Sequence, residues 1–343
     1  MRAPVLRTFV IVLVLYALLG ILQPGWLSPR TPVHLLNGGA VLGLAALGQT
    51  FVVATGGIDL AVGAVVACSS IAAATAITAG MPAALALAMA AVLGALFGAF
   101  AGLVIWLRGL PPFLVTLAMM LGLRGLAAMI HEGSLGIRAP DHEWFQGLCI
   151  PLASGLGGGL ELGPSACLWL LATLAGTLFL ARMRSGRDLL AHGGDWRAAR
   201  LLGVPAGRTL ILAYTLSGFC AALGGVAATL DTSAGNPNAA IALELDAIAA
   251  VVIGGAALQG GIASPLGTLL GVILLGMIQM AITFDGRLGA GWSRIAVGAL
   301  LRAFLCGQAF LRGLGVPARP RRSCAANHCW LRRRRSEADQ AEV

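Results

Sequence analysis

Long apolar stretches follow one another almost without pause from residue 8 to residue 311, and this succession limits the fold more than any other feature. A helix needs about 20 apolar residues to cross a bilayer. On that ruler the stretches fall at 8–27, 36–55, 60–79, 82–105, 113–130, 165–182, 209–230, 246–262, 264–285 and 291–311. Charged residues make up 11% of the chain, well below the roughly 25% of soluble domains. The expected fold is all-α: a polytopic integral membrane helical bundle of about ten transmembrane helices over residues 1–311. Several spans run nearly into one another, so some segments should be broken or re-entrant. Backbone tolerates that at membrane depth only where protein or a watery cavity satisfies it. The 48 glycines favour close helix-to-helix approach.

All 23 basic residues are arginine, and the net charge is +9. Their placement fixes an orientation, because cytoplasmic loops collect positive charge. With the N-terminus inside, Arg2, Arg7 and Arg108 are cytoplasmic, as are the loop 183–208 and the basic tail 312–343, which is expected to be disordered. The loop carries Arg184, Arg187, Arg197, Arg200 and Arg208, with Arg182 at its membrane edge. The outer loop 131–164 carries Glu132, Asp141, Glu143 and Glu161 against Arg138 alone, and Arg30 is the exception on that side. Membrane anchoring thus accounts for the high charge, and no nucleic-acid partner is expected. The apolar N-terminus lacks a small-residue cleavage site and reads as a first crossing.

Chemistry-bearing clusters are scarce. His131, His142 and His328 are isolated, and Cys324 and Cys329 beside His328 do not match a zinc spacing, so no metal is expected. Cys68, Cys220 and Cys306 read as small packing residues, while Cys149 and Cys167 both fall near the outer face. No phosphate-cradling G-x-x-x-x-G-K-S/T motif and no grouping of nucleophile, base and orienter occurs. No enzyme activity and no cofactor are expected.

Three segments stand out instead. T-G-G-I-D-L-A-V-G (55–63) sets Asp59 among glycines between two apolar stretches. A carboxylate at the centre of a bilayer helix costs roughly 2.5–3.5 kcal/mol, so Thr55, Gly56, Gly57 and Asp59 mark either a translocation pathway or a helix start near Leu60 that Asp59 caps. E-L-D-A-I-A-A-V-V-I-G-G (244–255) places Glu244 and Asp246 ahead of an apolar run that ends at Gly254 and Gly255. Asp246 can cap a helix beginning at Ala247, or these residues too belong to the pathway. Asn236 and Asn238 flank Pro237 in the short outer loop just before, as turn or contact residues. The stretches 52–60 and 250–258 share a local pattern, and paired Gly-interrupted spans point to solute sites in transporters. In the loop, Asp195 is a good N-cap, Trp196 to Leu202 can form two turns, and Gly203 and Pro205 end them. A short helix with no core of its own either docks on something or is a solvated loop.

T-G-G-I-D-L-A-V-G resembles the signature of bacterial ABC-transporter permeases of the ribose/xylose/arabinose type. G-L-P-P-F-L-V-T-L (109–117), G-R-D-L-L-A-H-G-G-D-W-R-A-A-R-L-L-G-V (186–204), Y-T-L-S-G-F-C-A-A-L-G-G (214–225) and the 244–255 segment follow in that family's order. The resemblance implies a multi-pass subunit of the bacterial inner (plasma) membrane that conducts a monosaccharide or similar small polar solute. It implies three kinds of partner: cytoplasmic ABC ATPase subunits, a periplasmic or lipid-anchored solute-binding protein, and a second permease subunit, as a homodimer. The 183–208 loop is similar to the family's coupling loop, which assigns ATPase coupling to Arg187, Gly193, Asp195, Trp196, Ala198, Ala199, Arg200 and Gly203. A self-sufficient secondary transporter or channel is the alternative, and it would not need a capped, hinged helix there.

The ending departs from that family. Ile278, Gln279 and Met280 stand where an N-N-G-like turn is usual, Arg302 falls within the last stretch, and an Arg-, Pro- and Cys-rich tail follows Gly313. Either a frame disruption near Leu300 replaced the native ending, or a divergent basic tail lies near anionic lipid.

Overall fold

The computed structural model describes residues 2–23, 25–138 and 162–285, with 295, 298, 299 and 302 singly. The chain divides into the units Met1–Leu301 and Arg302–Val343, and every element named below belongs to the first. The apolar stretch at 291–311 and the basic tail fall almost wholly outside the described residues, as does most of the 131–164 loop.

Seven helices are long and apolar enough to cross a membrane among the described residues. They are α1 (Arg2–Leu22), α2 (Arg30–Ala54), α4 (Ala83–Arg108), α5 (Pro112–Ile130), α6 (Pro164–Arg182), α9 (Ala206–Thr232) and α11 (Pro265–Asp285). Shorter helices stand between them: α3 (Val62–Thr78), α7 (Arg184–Gly194), α8 (Trp196–Leu201) and α10 (Leu243–Ile253). The only strands among the described residues are β1 (Leu135–Gly136) and β2 (Ala234–Gly235), which pair antiparallel and tie the end of α5 to the end of α9. The polytopic helical bundle with broken segments is the observed architecture.

Local chemistry sets the helix limits. Gly109 adopts φ 61 at the end of α4, and Pro112 and Pro164 open α5 and α6 at positions where a missing N–H costs nothing. The apolar stretch 246–262 does not form one crossing. Its helix α10 has 11 residues, a rise of about 16 Å against a hydrocarbon core of about 30 Å. Gly255, Gly260 and Gly261 then take positive φ and carry the chain through a turn. The chain is apolar throughout this stretch, so hydropathy reads it as continuous, but the helix stops.

The core lies around α9, which packs on α4, α2 and α3. Gly94, Gly98 and Gly102 recur every four residues and line one face of α4. A Cβ at Gly98 would fall on the Tyr214 carbonyl, and one at Gly218 on the Gly94 carbonyl, so the two backbones touch directly. Trp169 of α6 lies over Gly43 of α2 in the same manner. Outward faces carry Leu85, Val92, Leu96 and Phe100 on α4, and Leu117 and Leu121 on α5, all exposed. Large apolar side chains outside and small ones inside are what a helical bundle in lipid requires.

Hydrogen bonds show which ends lie together. Thr8 donates to the Ile253 carbonyl (2.9 Å), so the start of α1 meets the end of α10. Gln23 donates to the Ala281 carbonyl (3.0 Å), and Gly163 N–H donates to Asn37 Oδ1 (2.9 Å) at the opposite end.

This packing separates glycines that must stay bare from those that need not. Gly98→Ala should destabilise the detergent-solubilised protein by about 1–3 kcal/mol, because the neighbouring atom is backbone and cannot swing away. Gly122→Ala, where nothing lies within 4 Å, should leave Tm unchanged or slightly raised. Thermal unfolding followed by size-exclusion chromatography checks both.

Candidate functional site

The T-G-G-I-D-L segment is a helix break. α2 ends at Ala54, and Gly56 N–H donates to the Val53 carbonyl (2.9 Å) while Gly57 N–H donates to Val52 (3.2 Å). This closure needs a left-handed residue, and Gly56 supplies it at φ 82. The chain then runs without regular structure to α3 at Val62. Asp59 lies on this run and is 5% exposed. Its Oδ1 accepts from the Ala61 N–H (2.9 Å) and its Oδ2 from the Ser217 hydroxyl of α9 (2.7 Å).

Gln49 of α2 completes the arrangement. With its amide oriented to match donors to acceptors, it donates to the Asp59 carbonyl (3.1 Å) and accepts from the Asp59 N–H (3.2 Å). Thus both peptide groups and both carboxylate oxygens of Asp59 are satisfied. The helix starts at Val62 and its N-cap position is Ala61, so Asp59 does not cap it from Leu60. It instead bonds the Ala61 N–H, just before the helix begins. Tyr214 stands against Gly57, fully buried, with its hydroxyl unpartnered among the described residues.

A second break precedes α10. Ala240 and Ala242 take φ 57 and 65, and α10 begins at Leu243, not at Ala247. Asp246 is therefore not its cap. It and Glu244 lie in the first turn, where the helix dipole favours negative charge. Arg124 of α5 holds the approach: its guanidinium donates to the carbonyls of Ala239 (2.6 Å) and Ala240 (2.8 Å). Glu244 Oε2 is buried without a hydrogen-bond partner among the described residues. A Cβ at Gly63 would fall on that carboxylate and crowd the Ala240 carbonyl. The N-terminal turns of α3 and α10 thus meet beside Arg124 and Glu244, an arrangement that transporters use at solute sites.

The far end of α10 repeats the closure of α2. Gly255 N–H donates to Val252 (3.0 Å) and Ala256 N–H to Val251 (3.2 Å), with Gly255 at φ 92 and Gly254 in the preceding C-cap position. The shared pattern between the two stretches is therefore structural, but Gly56 matches Gly255, one residue later than an alignment of 52–60 on 250–258.

The connection from α6 to α9 forms two helices. Asp195 caps α8 as its sequence predicts, with Oδ1 accepting from the N–H groups of Arg197 (2.9 Å) and Ala198 (3.2 Å). Trp196 lies under the Arg197 guanidinium, 5.4 Å from ring centroid to Cζ. Ala199 is buried, while Ala198, Arg200 and Gly203 are exposed. Leu201 and Leu202 are 90% and 85% exposed. Arg187 donates to the Arg182 carbonyl (3.0 Å) and so joins α7 to the end of α6. Gly193 sits against the Ala54 carbonyl, which also accepts from the Gly261 N–H (3.0 Å). Burial holds the adjacent His192 imidazole below its ordinary value.

Two groups of sequence-flagged residues therefore come together. Gly56 meets the turn that follows Gly254 and Gly255, at Gln259 and Gly260, with Gly193 against the same turn. Glu244 meets Gly63 at the half-helix starts. Four residues to which the sequence assigned no role hold these places: Gln49 and Arg124, and Tyr214 and Ser217 of the 214–225 motif. Arg124 carried a signal, being a lone charge inside an apolar stretch; the others carried none. No cluster of metal-ligating side chains occurs among the described residues. Cys167 is a free thiol, and Cys149 lies outside the described residues.

Arg124→Leu would orphan the Ala239 carbonyl and leave the Ala240 carbonyl with the Leu243 N–H alone (3.3 Å), and should cost about 1–3 kcal/mol. Arg124→Lys should recover part of that loss by keeping one donor. Thermal unfolding of the three proteins in one detergent checks the order.

Comparison with known proteins follows this geometry. Residues 31–305 match the family described as branched-chain amino acid transport system / permease component. The inner membrane ABC transporter permease protein YjfF of Escherichia coli is 38% identical over 85% of this chain and 87% of its own length. The ribose import permease protein RbsC of Bacillus subtilis is 37% identical over 82% and 85%, and the L-arabinose ABC transporter permease protein AraH of Azospirillum brasilense 34% over 79% and 78%. No solved structure matches. The chain belongs to this family of transport-system permease components and is a multi-pass inner-membrane ABC permease.

Proposed function

We propose that this chain forms the translocation pathway of an ABC importer for a monosaccharide or a similar small polar solute. In this reading it is not an enzyme. ATP hydrolysis belongs to separate ATPase subunits, the solute arrives from a binding protein, and a second permease subunit, as a homodimer, completes the passage. The names of the relatives, ribose and L-arabinose permeases among them, support the solute class.

The observation that carries the reading is α8. A six-residue helix, capped at Asp195 and standing outside every apolar span, presents Leu201 and Leu202 almost fully exposed. Two bare leucines on a polar connection are costly in water and suit a hydrophobic groove on a partner. A groove of about 560 Å³ beside them is lined by Arg184, Asp188 and Arg208, which adds a charged rim. Orientation supports the same reading. Arg108, Arg182, Arg184, Arg187, Arg197, Arg200 and Arg208 lie at the end of the bundle where α4 and α6 finish, while Arg30 and Arg138 lie at the other. The positive-inside rule makes the arginine-rich end cytoplasmic, which puts α8 where an ATPase can reach it. The coupling residues are then Arg187, Gly193, Asp195, Trp196, Ala198, Ala199, Arg200 and Gly203, together with Leu201 and Leu202.

The pathway follows from the two half-helices. α3 and α10 start inside the bundle, and their N-terminal turns carry partial positive charge. Glu244 offers a buried acceptor beside them, held near Arg124. Hydroxyl groups of a solute can donate to that carboxylate and accept from the helix ends. Closure of the ATPase pair would push α8 and switch access from the outer to the inner side, a two-state rigid-body change.

A secondary transporter would make α8 dispensable. The double substitution Leu201→Glu, Leu202→Glu should lower retention of the ATPase on tagged permease by at least about tenfold and abolish ATP-dependent uptake of the radiolabelled sugar. Uptake that persists in cells lacking the ATPase would decide for the secondary carrier.

A further inference from the structure

We propose that residues 57–59 are the two-state element of this permease, driven through a glycine joint at Gly193 and held in its other position by the Tyr214 hydroxyl. The inference rests on the proposed role of α8 as the ATPase contact.

The joint comes first. Gly193 lies at the C-terminal end of α7, two residues before the Asp195 cap of α8. It is seated on the Ala54 carbonyl, and Gly260 rests against both Gly193 and Gly56. Ala54 also accepts from the Gly261 N–H (3.0 Å). Three backbones therefore cross here with no side chain between them. Surfaces so close cannot slide by small increments, so a push on α7 must move the end of α2 and the start of the 57–59 run as one body.

The segment itself is suited to two positions. Between Gly57 and Ala61 it has no helix or strand of its own, and Ile58 and Asp59 are held by side chains on three other helices, Gln49 of α2, Thr116 of α5 and Ser217 of α9. Side-chain bonds of this kind can be exchanged without unfolding a helix. Three residues after Asp59, α3 begins, so any shift of Asp59 reaches the half-helix that faces Glu244.

Tyr214 supplies the second position. It is 0% exposed, its hydroxyl has no partner among the described residues, and it stands against Gly57, two residues before Asp59. Buried hydroxyls are nearly always bonded. A bond left unmade in this state is accounted for if it is made in the other, with the phenol donating to Asp59 after the segment moves toward it. Gly57 matters for the same reason: a Cβ there would meet the phenol oxygen and block the approach.

The test uses the full transporter, permease with ATPase and binding protein, in proteoliposomes loaded with radiolabelled ribose or arabinose outside. Tyr214→Phe removes a group that makes no bond in the described state. It should leave Tm unchanged or raised, keep the ATPase bound, and slow ATP-driven uptake by at least about fivefold, because the second state loses its bond. Gly193→Ala, which sets a Cβ on the Ala54 carbonyl, should lower uptake by at least about tenfold. Uptake at the wild-type rate in Tyr214→Phe overturns the proposal, as does a loss of Tm that accounts for the slower uptake. Wild-type permease that retains no ATPase overturns the reading of α8 and this inference with it. If Gly193→Ala does not assemble, Tyr214→Phe alone decides.

Discussion

Backbone that leaves a helix at membrane depth has no water to turn to, so the protein must supply every hydrogen bond it loses. The rest of this structure depends on that constraint, and it is met in two different ways. At 57–61 the donor and acceptor come from Gln49, a neutral amide that pairs with the Asp59 peptide as another strand would. At 239–240 they come from Arg124, a guanidinium that donates to two carbonyls. The difference follows from depth in the bundle. Asp59 is 5% exposed, where an added charge would pay a large desolvation cost, whereas Arg124 lies on a half-exposed helix and keeps part of its hydration.

Once those segments are held, the short helices have fixed starting points. α3 begins where Asp59 binds the Ala61 N–H, and α10 begins where Arg124 has turned Ala240 and its neighbours. The two starts can approach each other because Gly63 has no side chain to keep Glu244 away. A wall of continuous helices would expose no dipole ends inside the bundle. Two interrupted ones expose both, and they do so beside an acceptor and a cation.

What the sequence makes legible here is what is local or additive. The spans stand out because hydropathy sums over twenty residues, and Asp195 is readable as a cap because its partners are two and three residues away. Asp246 misleads for the opposite reason. The start of α10 is set by Arg124, more than a hundred residues distant, so a carboxylate next to an apolar run looks like a cap and is not one. Hydropathy also cannot see that 254–261 stops being helical, since glycine and alanine keep the stretch apolar while positive φ breaks the helix. The offset between the Gly56 and Gly255 closures arises likewise. Among repeated Val, Gly and Ala, several alignments score alike, and only the hydrogen bonds select one. Gln49, Ser217 and Tyr214 lie in long apolar helices, and nothing near them in the chain says what they face.

The same glycine content serves two mechanical ends. Between α4 and α9 it gives a rigid contact, because the backbones interlock at four-residue intervals along both helices. At Gly193, Gly56, Gly260 and Gly261 it gives contact between chain ends and turns, where three of the four glycines take positive φ. Helices that interlock along their length must move together. Turns that touch at a point transmit force but allow rotation about it. A permease moved from one end needs both, a stiff bundle to carry the displacement and a joint where it enters. The spacing of glycine along each element distinguishes the two: periodic within a helix for the first, clustered at helix ends for the second.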